Sequence, residues 1–194
     1  MKVSRAQAEQ NRNRIVDVAA EMFREHGFDG IGVADLMKAA GLTHGGFYGH
    51  FKSKEELAGE ACARALSKSR DKLAAVAQAG SDDPLADVIG TYLSERHRKE
   101  GGKGCAFAAL GADAARHSKP LRSVFSTGVE NYLEVLTDIV PGRTKPERRK
   151  KAMATLSAMV GALVLSRAVD DAGLAKDILA ATAANLTAPP AGNA

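Results

Sequence analysis

The sequence predicts an all-α protein of about nine helices, and three observations carry this. Alanine dominates an apolar share of 45%, tryptophan is absent and aromatic residues make up only 5%. Alanine has the highest helix propensity and adds little to a strand face. Apolar residues recur at helical spacing, with no segment of alternating β-branched residues. Capping patterns built on Ser, Thr and Asp recur along the chain, with glycines between them.

The elements follow in order. Ser4 and Gln7 form a capping box that opens a helix over 4–26, with Ile15, Val18, Ala19, Met22 and Phe23 on one face and Gly27 as its stop. Residues 33–40 place Val33, Leu36, Met37 and Ala40 on one face. In Gly41-Leu42-Thr43 the glycine can take the left-handed conformation that ends this helix, and the threonine can cap a short helix over 44–50. Ser53 and Glu56 open a long helix reaching about Ala79. Residues 80–84 read as a loop, with Asp83 as cap and Pro84 in the first turn of a helix to about Glu100. Glycines at 101, 102 and 104 break the chain again. Helices are expected over 105–117 and 119–139, the second ended by Pro141-Gly142. Thr144 and Glu147 form a further capping box for a helix through about Val169. The last helix is expected over 174–187. The tail, 188–194, has nothing to bury and is expected to be disordered. The expected organisation is a head over 1–52, a helical body over 53–187 and the tail.

Net charge is +4, mildly basic, and informative only where concentrated. Residues 1–14 hold Lys2, Arg5, Arg12 and Arg14 against Glu9 alone. A second cluster sets Arg143, Lys145, Arg148, Arg149, Lys150 and Lys151 against Glu147; either cluster, taken alone, reads as a solvated helix end. The two cysteines, Cys62 and Cys105, show no CxxC and no metal-ligand spacing, so neither a disulfide framework nor a metal is expected. Rossmann and P-loop glycine patterns are missing, and no cofactor is expected. No apolar h-region follows the first lysine, and the longest apolar run, 152–165, is too short to span a bilayer. A cytoplasmic protein without a membrane partner is the expectation.

Two helices joined by three residues, the first ending at Gly41 and the second two turns long, outline a helix-turn-helix. The basic arm with Arg5 and the lysines Lys52 and Lys54 flank it, which points to double-stranded DNA as the partner. Here the segment GFDGIGVADLMKAAGLTHGGFYGHFKSKEEL resembles the N-terminal signature of the TetR family of bacterial regulators, over roughly Ile15 to Leu57. The turn, Gly45, Tyr48 and the Phe51-Lys52-Ser53-Lys54 run fall at the family's spacing. The resemblance implies that Thr43, His44, Gly46, Phe47, Tyr48 and His50 sit on or beside a recognition helix. It implies that Lys54 touches phosphate at the start of the following helix. It further implies a homodimeric transcriptional regulator, by family habit a repressor released from a pseudo-palindromic operator by a small-molecule effector. An activator of the same fold is the alternative.

The chain departs from the family pattern in places. Gly32 stands where a small polar cap is common, and Met37 where a small residue is common. Gly46 and Gly49 replace residues that often reach bases or phosphates. Each extra glycine in a short helix costs about 0.5–1 kcal/mol relative to alanine. Close backbone approach to DNA is the expected compensation, leaving fewer side chains to specify sequence. Phe47 and Phe51 read first as core plugs. Tyr48 can pack its ring while its hydroxyl reaches a phosphate, and His50 can either pack or touch the backbone. His44 points outward, where an imidazole can donate to guanine O6 or N7.

In the body, Leu156, Met159, Val160, Leu163 and Val164 form an apolar stripe, read either as intrachain core or as a dimer interface. Ala158, Gly161 and Ala162 would allow a second helix to approach closely. Tyr92, Cys105, Phe107, Phe125 and Tyr132 are the candidate lining of an effector pocket. His97 and His117 read as surface residues, and Cys105, beside Lys103, reads as buried or as a partly open, reactive thiol. Two other classes compete with this reading: a Cys105–histidine enzyme, which lacks an orienting third residue, and a helical scaffold that does not bind DNA.

Overall fold

The computed structural model describes residues 4–188; Lys2 of the basic arm and the tail from Pro189 lie outside it. Among the described residues the chain forms nine α-helices, one short 3₁₀ helix and no strand. It divides into two compact units.

The first unit contains the chain up to Ser69 together with Gly101–Gly128. Helix α1, Arg5–His26, starts where the Ser4 hydroxyl accepts the Gln7 N–H at 3.2 Å. It stops at Gly27, whose N–H donates to the Phe23 carbonyl. Ile15, Val16, Ala19, Ala20 and Phe23 form its buried face. Helix α2, Val33–Ala39, buries Leu36 and Met37 and begins at Gly32 without a side-chain cap. At its end Gly41 takes φ +69°, so the chain can reverse, and the Leu42 N–H reaches back to the Met37 carbonyl. The next element, His44–Gly49, is a 3₁₀ helix; the Thr43 side chain makes no capping bond to it, contrary to expectation. Three glycines in six residues give the backbone too little helix propensity to settle into the α form.

Helix α3, Lys54–Ala77, opens on the expected capping box: the Ser53 hydroxyl accepts the Glu56 N–H at 3.1 Å, and the Glu56 carboxylate accepts the Lys52 N–H at 2.7 Å. In this unit α3 is tied to α1 by a two-pronged Arg12–Glu60 pair at 2.6 and 2.5 Å. The Arg12 guanidinium also stands 4.6 Å over the Phe51 ring. Helix α6, Ala106–Arg116, packs on the C-terminal end of α1. There the Arg24 side chain donates to the Gly102 carbonyl at 2.5 Å, and the Phe28 ring meets His117 edge-on at 5.0 Å. Helix α7, Lys119–Ile139, meets α3 at Gly128, where a methyl group would stand 2.7 Å from Leu66 Cδ1.

The second unit contains Arg70–Glu100 and the chain from Val129 onward. The single helix expected over 84–100 is two: α4, Pro84–Tyr92, and α5, Glu95–Lys99. The break is a capping event. The Ser94 hydroxyl donates to the Thr91 carbonyl and accepts the His97 N–H, ending one helix and starting the next. Helix α8, Lys145–Ala168, begins at the expected Thr144–Glu147 box, and α9, Ala172–Thr187, packs along it. Asp171 caps α9, which therefore starts two residues earlier than expected. From α8, Arg167 donates to the carbonyls of His97, Arg98 and Glu100 at 2.9, 2.9 and 3.0 Å, closing the C-terminal end of α5. No helix is long and apolar enough to cross a membrane, among the described residues.

Candidate nucleic-acid interface

The reading turn is built from the inside out. Phe47 is fully buried and Phe51 nearly so, with ring centroids 5.7 Å apart, so both are core plugs, as their spacing suggested. With Phe47 fixed inward, the rest of the short helix is turned out. Thr43, His44, Gly45, Tyr48 and Gly49 are exposed, and His50 is half-buried beside Phe51. Tyr48 is 70% exposed while its ring rests edge-on against Phe47 at 5.2 Å. An apolar ring held out in solvent by a rigid neighbour suits contact with a partner.

Charge is sorted around this turn. Within the basic arm Arg12 is already paired with Glu60. Arg64 and Lys68 pair with Asp17, whose carboxyl is pushed up by burial but held below its usual range by those two cations. Arg5, Lys52 and Lys54 carry no ion pair among the described residues. Lys52 is exposed; Lys54 is half-buried as the first residue of α3, where unpaired backbone N–H groups add positive potential. The structure thus brings the sequence-predicted residues from 43 to 54 together on one short segment, while Arg5 stands separately in the first turn of α1.

The body's candidates divide differently. Phe107 and Phe125 meet edge-on at 6.1 Å in the first unit, where Cys105 is also buried. Tyr92 and Tyr132 belong to the second unit, and both are buried. A groove of about 390 Å³ in the first unit includes none of the five in its walls. It runs between the acidic start of α3, Glu55 to Glu60, and an apolar wall of Pro120, Leu121 and Val124.

The apolar stripe of α8 resolves into two rows. Leu156, Met159 and Leu163 are 7%, 0% and 0% exposed and lie in the chain's own core, so their side chains are closed to a second copy. Val160 is half-buried, and Val164 is 41% exposed. The open row is Met153, Val164 and Leu165 with Leu174 of α9. A helical repeat over 24 residues can carry two apolar faces, and neighbouring helices of the same unit cover only one.

Of the two readings of Cys105 the buried one holds, at 2% exposed. Burial pushes the other thiol, Cys62, up to about 12 despite the opposing pull of Arg24. One expectation is corrected. His97 is no surface residue: its Nδ1 lies 2.7 Å from the Tyr92 carbonyl, and burial lowers its pKa.

Comparison with known proteins agrees with this architecture. The family described as bacterial regulatory proteins, tetR family, matches residues 15–61. The chain is 28% identical over 163 residues to the HTH-type transcriptional regulator LmrA of Bacillus subtilis (strain 168), covering 80% of this chain and 86% of that one. It is 23% identical over 129 residues to the HTH-type transcriptional repressor NemR of Escherichia coli (strain K12), covering 65% of each. The crystal structure of reduced E. coli NemR has the same fold, with a TM-score of 0.78 over 94% of this chain and 99% of that one at 20% identity. A TetR transcriptional regulator from Chloroflexus aurantiacus J-10-FL, 25% identical, superposes with a TM-score of 0.77 over 94% of this chain and 96% of its own. The matched segment contains the whole helix-turn-helix and Lys54, and with these relatives it supports a TetR-family transcriptional regulator that binds DNA.

Proposed function

We propose that the protein is a cytoplasmic repressor that binds a pseudo-palindromic operator in double-stranded DNA as a homodimer and is released by a small-molecule effector. One observation carries the reading. The exposed His44 and Tyr48 are followed directly by Lys52 and Lys54, which form no ion pair among the described residues. Base edges are read by the first group and phosphates held by the second. Residues 1–52 act as the reading head and 53–187 as the effector-binding and dimerising body. Relatives named as repressors, NemR of E. coli among them, support repression.

The dimer is held by the open row of Met153, Val164, Leu165 and Leu174, an apolar surface that a lone copy leaves in water. Two heads then face half-sites about one helical turn, roughly 34–36 Å, or a multiple apart. Effector control runs through an apolar site of the first unit near Phe107 and Phe125, where Cys105 is also buried. Its coupling to DNA is about 1–3 kcal/mol and reciprocal. The test is selection from a random duplex pool with the purified full chain. An inverted repeat should emerge; retention of no sequence above background would refute the reading.

A further inference from the structure

The groove between the start of α3 and the start of α7 belongs neither to the reading turn nor to the aromatic pair of Phe107 and Phe125. Its volume, about 390 Å³, suits a small molecule, and its two walls differ in chemistry. One wall is apolar: Pro120 is exposed and Val124 half-buried. The other holds three carboxylates of α3, on Glu55, Glu56 and Glu60. The fold uses two of them. Glu60 accepts both of its bonds from Arg12, and Glu56 accepts the Lys52 N–H at the start of the helix. Glu56 and Glu60 stand four residues apart on one helix face, where like charges repel, and Arg12 bonds only one of them. Glu55 is exposed and forms no ion pair among the described residues. The paired walls select among occupants. The carboxylates repel the phosphates of DNA. A bare metal ion finds no group of three ligating side chains among the described residues. An uncharged apolar molecule would cover Pro120 and Val124 but take water from the carboxylates without answering their charge, which costs free energy. An organic cation with an apolar body satisfies both walls.

We propose that this groove is a second ligand site, separate from the effector site, and that it takes lipophilic organic cations. The positive centre lies beside Glu55 and Glu56, and the apolar body covers Pro120 and Val124. Cation binding here stands apart from DNA binding and is measured without it.

Tetraphenylphosphonium is the probe, titrated into the full chain by calorimetry. Tetraphenylborate, an anion of the same shape, and uncharged triphenylphosphine oxide are the comparisons. The cation should bind roughly tenfold or more tightly than either. Glu55→Gln removes the unpaired carboxylate and should weaken the cation about fivefold or more, with Tm unchanged. Gly59 lines the same groove, and a methyl group there would meet no atom within 4 Å, so Gly59→Leu grows into the groove rather than into the protein. It should weaken the cation about tenfold or more while Tm holds or rises, because leucine favours a helix over glycine. Borate or oxide binding as tightly as the cation would overturn the selection by charge. Cation affinity within about twofold of wild type in both variants would put the probe elsewhere in the chain and overturn the site. No binding of the cation at all, as when a second copy covers the groove, overturns it too. Should Gly59→Leu fail to fold, Glu55→Gln decides.

Discussion

Removing the Lys54 charge should change the salt dependence of DNA binding, whereas removing the His44 imidazole should change its selectivity. Arg5, Lys52 and Lys54 carry no carboxylate partner among the described residues, in contrast to Arg12, Arg64 and Lys68. Three such cations on each of two heads make about six phosphate contacts, for which log K falls with log salt at a slope of about −5. Raising salt fourfold should then weaken wild type about a thousandfold. Lys54→Ala removes one contact per head, so the slope falls by about two per dimer and the same salt step costs roughly tenfold less. Random and selected duplexes should be affected alike, because phosphates carry no sequence. His44 is exposed at the first position of the reading turn. His44→Ala should leave the slope unchanged, cost about 1–3 kcal/mol per half-site on the selected sequence, and cost far less on random DNA. Anisotropy titrations between about 50 and 200 mM salt on both duplexes measure all four quantities. The division into anchor and reader is refuted if both variants reduce specific and non-specific binding in the same ratio.

Three other outcomes follow from the body. Arg167→Met removes a donor from three carbonyls at the C-terminal end of α5, those of His97, Arg98 and Glu100, and should cost about 2–4 kcal/mol in urea unfolding, the part-buried setting keeping it below three full charged bonds; a loss under about 1 kcal/mol would show that water replaces the guanidinium. Leu165→Lys should give monomers in sedimentation with stability nearly intact, whereas Met159→Ala, in a fully buried position, should cost about 2–5 kcal/mol and leave the dimer; the reverse pattern would assign the two rows of α8 wrongly. His97 is held neutral, by burial first and with the Arg167 charge adding to it, so its folded pKa lies below that of the unfolded chain. The unfolded chain therefore takes up this proton first, and stability is lost as pH falls through about 6.5 toward the folded value. Melting followed from pH 7.5 to 5.5 should show a smaller acid-side loss in His97→Gln than in wild type, and equal slopes would remove His97 from the effect.

Caps and turns were legible in the sequence because each depends on residues three or four apart. The boxes at Ser53 and Thr144, the Ser4 cap and the left-handed Gly41 formed as their local patterns implied, while the Gln7 side chain turns to Asn11 and leaves the box at Ser4 half made. The Ser94 break carried a similar local signal, but the apolar run through 84–93 made one long helix the more natural reading. The reading turn was visible as a segment, though its 3₁₀ form follows from three glycines acting together on a helix with little else to hold it. The all-helical class, most element borders and the helix-turn-helix were readable from the chain alone, since backbone propensity and short-range hydrogen bonds set them; the break at Ser94 and the start of α9 after Asp171 were borders it did not give. Only the tertiary structure decided that Arg12 turns to Glu60, that Arg167 closes α5 from about 70 residues away, and which row of α8 remains open. Those outcomes depend on which helix lies alongside which, and a helix's periodicity shows that it has an apolar face without showing what will cover it.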